Sequence, residues 1–235
     1  MEFIDKVVLV TGGSSGIGYA IAEMAKNKGA KVIIAARNRE RLDRAAKELS
    51  AFPVLCDVGN EQNVIECYDT IMKEFGRLDV LVNNAGFGYF SMIDEIDKRK
   101  FEEVFNTNVV GAALMAKYAS RIFKKQNYGN IVNISSTAGT KGYPGGSAYV
   151  ATKFALKGMS ECWRAELRQH NVRVIHINPS EVQTSFFANS KRDKRAFNET
   201  KLIAEDIAYA VISALEMHDR GFITELTVFA TNPKD

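Results

Sequence analysis

The chain has 235 residues, 46% hydrophobic and 25% charged, the profile of a globular protein with an ordinary core. Its 31 basic and 28 acidic residues leave a net charge of +3, too balanced to argue for a nucleic-acid or membrane-surface partner. No apolar run approaches the ~20 residues of a membrane span.

The opening stretch, MEFIDKVVLVTGG, lacks the basic region and long apolar run of a secretory signal, so a cytoplasmic protein is expected. Short β-branched runs then alternate with longer helical patterns. The runs lie at 6–11, 31–36, 52–57, 78–82, 130–135, 172–177 and 222–229. Helical patterns lie near 16–28, 39–50, 60–75, 98–125, 147–169 and 204–217. Strand runs without polar alternation require cover on both sheet faces. This predicts one α/β domain over 1–235: a doubly wound, parallel, seven-stranded sheet of Rossmann type with helices on both faces.

Ligands of such sheets sit beyond the carboxyl ends of the strands. The first run is followed by TGGSSGIG, with Gly12, Gly16 and Gly18 at the start of a helix. These glycines either admit a dinucleotide pyrophosphate to the helix N-terminus or serve a tight strand–helix turn. After the second run stand Arg37 and Asn38, with no carboxylate before Glu40. A carboxylate here would hold a ribose 2′-hydroxyl. An arginine suits a 2′-phosphate, which favours NADP(H) over NAD(H), unless Arg37 is simply solvated. The later runs end in Asp57–Val58, in NNAG with Asn84, Ala85 and Gly86, in SSTAG with Ser136, and in NPS with Pro179.

Two helical patterns carry polar residues on apolar stripes. Asn108 joins Phe101, Phe105, Ala112, Met115, Ala119 and Ile122. A buried amide without partners costs roughly 1–3 kcal/mol, so Asn108 must bond either a neighbouring backbone or a site. Tyr149 and Lys153 share a stripe with Leu156, Ser160, Trp163 and Leu167. An interior lysine is rare unless paired, the alternative being a snorkelling lysine beside a packed tyrosine.

With these motifs together, the chain resembles the short-chain dehydrogenase/reductase family over nearly its whole length. The matching stretches are TGGSSGIG, NNAG, NTNVVG, ISSTAG, YVATK and NPS. The nearest flavour is that of NADPH-dependent 3-oxoacyl-thioester and carbonyl reductases. The resemblance implies a catalytic set of Asn108, Ser136, Tyr149 and Lys153. It implies cofactor contacts from Gly12, Ser14, Ser15, Gly16, Ile17, Gly18, Arg37, Asn38, Asp57 and Val58. Further contacts would come from Asn84, Ala85, Gly86, Tyr149, Lys153, Pro179, Val182 and Thr184. In the implied reaction NADPH reduces a small-molecule ketone, Tyr149 supplies the proton, Ser136 steadies the oxygen, and Lys153 with Asn108 leads the proton path to solvent.

A phenol with a pKa near ~10 is a poor proton shuttle at neutral pH. Lowering it by roughly two to three pKa units takes about 3–4 kcal/mol. An ammonium at about 4–5 Å, at an effective dielectric near ~20, supplies that much. Lys153 is therefore expected to make Tyr149 acidic.

The poorly patterned stretch 185–200 reads as a mobile substrate loop. Phe186 and Phe187 would line a pocket or anchor the loop, and the basic run 191–195 either faces solvent or meets an acyl carrier. Small residues Ala151, Ala155, Gly158 and Cys162 form a second face suited to pairing in a homodimer or homotetramer. Cys56, Cys67 and Cys162 read as reduced, buried thiols. His170, His176 and His218 share no ligand spacing, so no metal is expected. Within the same chemistry, a hydroxy-acid, steroid or sugar-alcohol dehydrogenase is the alternative. Outside it, a silent dinucleotide sensor remains, though such a protein would have lost part of the Asn–Ser–Tyr–Lys set.

Overall fold

The computed structural model describes residues 1–184 and 196–234. Most of the stretch read as a substrate loop, including Phe186, Phe187 and the run 191–195, lies outside the described residues. Seven parallel strands stand in the order β3-β2-β1-β4-β5-β6-β7. They are β1 (Val7–Thr11), β2 (Lys31–Ala36), β3 (Phe52–Leu55), β4 (Val80–Asn83), β5 (Gly129–Ile134), β6 (Val172–Pro179) and β7 (Glu225–Val228). The helices are α1 (Gly16–Asn27), α2 (Arg39–Leu49), α3 (Glu61–Phe75), α4 (Lys98–Phe105), α5 (Ala112–Gln126), α6 (Ser147–Leu167) and α7 (Ala204–Glu216). The sequence predicts the strands and five of these helices to within a few residues, and reads α4 and α5 as one helix over 98–125.

Two apolar layers explain the unbroken strand runs. Val8, Val10, Val32 and Ile34 pack with Ile21 and Ala25 of α1, Leu42 of α2 and Val211 of α7. Val7, Leu9, Ile33 and Leu81 turn to the opposite face, against Val64 and Ile71 of α3 and Met115 and Phe123 of α5. Alternate residues of one strand thus serve two cores, as a sheet covered on both faces demands.

The helix predicted over 98–125 is interrupted. Between α4 and α5, Asn106–Gly111 forms a π-helical segment. Its wider turn shifts the helical phase by one residue. Val104 is therefore the buried residue of α4, while Phe101 and Phe105 are half-buried and stack on each other at 5.0 Å. Beyond the segment, Ala112, Met115, Ala119 and Phe123 are buried, with Phe123 taking the place expected for Ile122. A second correction concerns Cys162. Cys56 and Cys67 are buried, but Cys162 is exposed on α6, because it belongs to the small-residue face and not to the stripe turned to the sheet.

Candidate active site

The strand order reverses between β1 and β4, and the site opens there, beyond their carboxyl ends. Thr11 joins the two strand ends. Its hydroxyl donates to Val82 O at 3.2 Å and accepts from the backbone N–H groups of Asn84 and Ala85, both at 3.0 Å. Asn84 Nδ2 returns a bond to Thr11 O at 2.9 Å. Gly12 turns the chain with φ +65, and a Cβ there would come within 3.0 Å of Ala85 Cα. Only glycine suits both the conformation and the approach. The helix α1 begins immediately after, and its N-cap Ser15 makes no side-chain capping bond. Its first N–H groups are left for an anion at the positive end of the helix.

A crevice of about 600 Å³ runs from this turn to α6. Its phosphate end is walled by Gly12, Ser14, Ser15, Gly16 and Ile17. Arg37, Asn38, Val58, Asn84, Ala85 and Gly86 continue it on one side, and Pro179, Val182 and Thr184 on another. Ser136, Tyr149 and Lys153 close the far end. Three expected residues lie behind the wall. Gly18 packs α1 against the turn, where a Cβ would meet Gly12 O at 2.6 Å. Asp57 turns its carboxylate to the backbone N–H of Gly59 at 3.0 Å. Asn108 is buried beneath Gly86 and Phe87.

Several residues of the wall escaped the sequence reading. Arg41 stands beside Arg37 in the crevice. The signal for it was local: Asn38 caps α2 by accepting from Arg41 N at 2.9 Å, which fixes Arg41 in the first turn above the crevice. Among the described residues, neither Arg37 nor Arg41 is in an ion pair, whereas Arg39 pairs with Asp43 and Arg44 with Glu40. Phe90 packs on the Tyr149 ring at 5.5 Å, and Tyr143 lines the same end. The link between Ser91 N and Gly145 O, 3.0 Å, holds the segments carrying these two rings together. Nothing in a period-based reading marks such loop aromatics.

At the far end, the Ser136 hydroxyl hydrogen-bonds the Tyr149 phenol and accepts from Ala138 N at 3.1 Å. Lys153 Nζ donates to Ile134 O at 3.0 Å and lies 5.5 Å from the centre of the Tyr149 ring. Burial dominates both groups. It pushes the Tyr149 phenol well above its ordinary value, and the Ser136 hydrogen bond only partly opposes it. Burial also brings the Lys153 ammonium down to about 8. Desolvation therefore opposes the acidifying effect expected of the Lys153 charge: in the protein without cofactor it favours the neutral form of both the phenol and the amine.

The crevice fits a dinucleotide by its own features: a glycine turn, an uncapped helix N-terminus, and two guanidiniums without an ion pair among the described residues, where a 2′-phosphate would stand. The buried Ser135 Oγ, in the same wall, has no partner among the described residues. Such a parallel fold with a Ser–Tyr–Lys cluster at its switch point defines a nucleotide-dependent oxidoreductase.

The comparisons with known proteins agree. The sequence profile of the short chain dehydrogenase family matches residues 6–195, and the chain belongs to that family. It is 35% identical to the NADP-dependent 3-hydroxy acid dehydrogenase of Schizosaccharomyces pombe, over 97% of this chain and 93% of the relative. Among solved structures, the closed form of serine dehydrogenase complexed with NADP+ superposes with a TM-score of 0.92 at 30% identity, covering 97% and 96% of the two chains. A 3-ketoacyl-(acyl-carrier-protein) reductase from Brucella melitensis complexed with NADH gives 0.90 at 27% identity, covering 97% and 98%.

Proposed function

We propose that the protein interconverts a ketone and a secondary alcohol with NADP(H), running as a carbonyl reductase on a 3-oxoacyl-like or small carbonyl substrate. The observation that carries this reading is the joining of the Ser136–Tyr149–Lys153 cluster and the Arg37–Arg41 pair in one crevice. When bound, NADP(H) supplies or receives the hydride. The chain's own residues handle the proton and the charge. Tyr149 gives its phenolic proton to the carbonyl oxygen, and the Ser136 hydroxyl donates to that oxygen as negative charge develops. Lys153 stabilises the phenolate and binds the ribose side of the cofactor. Asn108 anchors the proton path behind it.

Arg37 and Arg41 support NADP(H) over NAD(H), because guanidiniums match a phosphate's oxygens and no carboxylate among the described residues pairs with them. The 3-hydroxy acid dehydrogenase relative supports the reverse reaction on a hydroxy acid as the second reading, since the same residues serve both directions. The rings of Phe90 and Tyr143 beside Tyr149 support a substrate with an apolar or flat group next to the carbonyl. We further infer a reduced, cytoplasmic protein that pairs through α6 into a homodimer or homotetramer.

The test follows NADPH absorbance with 3-oxoacyl thioesters, 3-oxo acids, esters and diketones, and NADP+ reduction with 3-hydroxy acids and serine. Consumption of NADPH matched by alcohol formation supports the reading. Tight NADPH binding without turnover of any of these compounds would overturn it in favour of a dinucleotide sensor.

A further inference from the structure

The side-chain amide of Asn108 is held on three sides. Phe87 N donates to Oδ1 at 3.1 Å, and Nδ2 donates to Phe87 O at 2.9 Å and to Thr152 Oγ1 at 3.2 Å. Thr152 Oγ1 donates in turn to Tyr149 O at 2.7 Å. A hydroxyl has one proton to give and lone pairs to receive with, and here the direction is fixed: amide to hydroxyl, hydroxyl to carbonyl. Thr152 is 0% exposed, so neither bond has water as a substitute. Among the described residues, this is the one side-chain hydrogen bond between Asn108 and α6. It ties the π-helical segment to the turn of α6 that carries Tyr149 and Lys153.

We propose that Thr152 is a positioning residue of the proton path, its hydroxyl setting Asn108 and the π-helical segment in register with Tyr149 and Lys153. The proposal rests on the reading of Tyr149 as proton donor. Valine in its place keeps the shape and removes the hydroxyl. One buried N–H of Asn108 is then left without its acceptor, a state that side chains leave by rotating. Rotation of the amide also releases Phe87. Serine keeps the hydroxyl and both bonds.

The experiment compares Thr152→Val, Thr152→Ala and Thr152→Ser with the wild type. In the Val and Ala variants kcat falls about tenfold, a part of the 10²–10⁴ that positioned proton transfer contributes. KM for NADPH stays within about twofold, because no phosphate contact changes. The solvent deuterium isotope effect on kcat rises, as proton delivery becomes slower than the other steps. In the cofactor-free variants, hydrogen exchange at the Phe87 amide accelerates. Thr152→Ser returns all four quantities to wild-type values.

Wild-type kcat and isotope effect in Thr152→Val would overturn the proposal. So would activity loss in Val, Ala and Ser alike that tracks a lowered Tm, or failure of both Val and Ala to fold. If the wild type turns over no carbonyl, the proposed function fails by itself. The Phe87 exchange then still decides whether the clamp exists.

Discussion

Tyr149 and Lys153 illustrate how far residue types alone reach. Their spacing places them on one helical face, and the structure puts them in one buried crevice with Ser136. Their ionisation depends on desolvation, which no spacing reports. Lys153, brought from 10.5 down to about 8 by burial, has a stability consequence whose sign is definite. Between those values the unfolded chain keeps the proton and the folded chain has lost it, so stability rises with pH across that window. Urea unfolding from pH 8 to 10, below the range in which the buried phenols titrate, should show a steeper rise in the cofactor-free wild type than in Lys153→Met. Arg37 and Arg41 make a second residue-scale prediction. Hydrogen bonds from guanidinium to phosphate are worth about 1.5–3 kcal/mol, so Arg37→Ala should raise KM for NADPH roughly 10- to 150-fold. KM for NADH should change little. Equal effects on the two nucleotides would remove Arg37 from 2′-phosphate recognition.

At the scale of elements, α6 lies over a polar row of the sheet. Asn83, Asn133, His176 and Glu225 are register partners on four successive strands. Asn83 donates to Asn133 at 3.0 Å, Asn133 to Ser160 at 2.8 Å, and Ser160 lies 3.1 Å from His176 Nδ1. Burial brings His176 down to about 4, against the opposing pull of Glu225 and with the help of Lys153, Lys157 and Arg164. The unfolded chain protonates this histidine first, so its contribution to stability is full above about 6.5 and declines as pH falls towards about 4. His176→Asn should lose less stability over that range, measured as the shift of the thermal midpoint with pH. The sequence reading treated His176 as unremarkable because a strand residue shows its neighbours only once the register is known. The π-helical segment was hidden for a similar reason. Its slip is stabilised by the bonds of Asn108 to Phe87 and Thr152, which join residues far apart in the chain. The strands and remaining helices were legible because apolar runs and Gly or Asn punctuation are local.

For the whole molecule, seven strand runs and six motif-bearing ends were enough to place the crevice, since a parallel sheet gathers all its carboxyl ends on one edge. The outer wall was less legible. Arg41, Phe90 and Tyr143 come from a helix start and two connections, where direction depends on tertiary packing. Assembly is the other whole-molecule question. Val110 and Phe154 are each 45% exposed, near the small face of Ala151, Gly158 and Cys162. Sedimentation should show an oligomer for the wild type and a smaller species for Phe154→Glu. A wild-type monomer at micromolar concentration would refute pairing through α6.

The central claim is that the buried phenol of Tyr149 is the proton donor of a nucleotide-dependent carbonyl reduction. Its most direct measurement is kcat for NADPH oxidation by Tyr149→Phe, on the best ketone of the wild type, with NADPH binding followed in parallel. The account predicts unchanged folding, binding within a few-fold, and a kcat lower by about 10²- to 10⁴-fold. A folded Tyr149→Phe enzyme with wild-type turnover would contradict it.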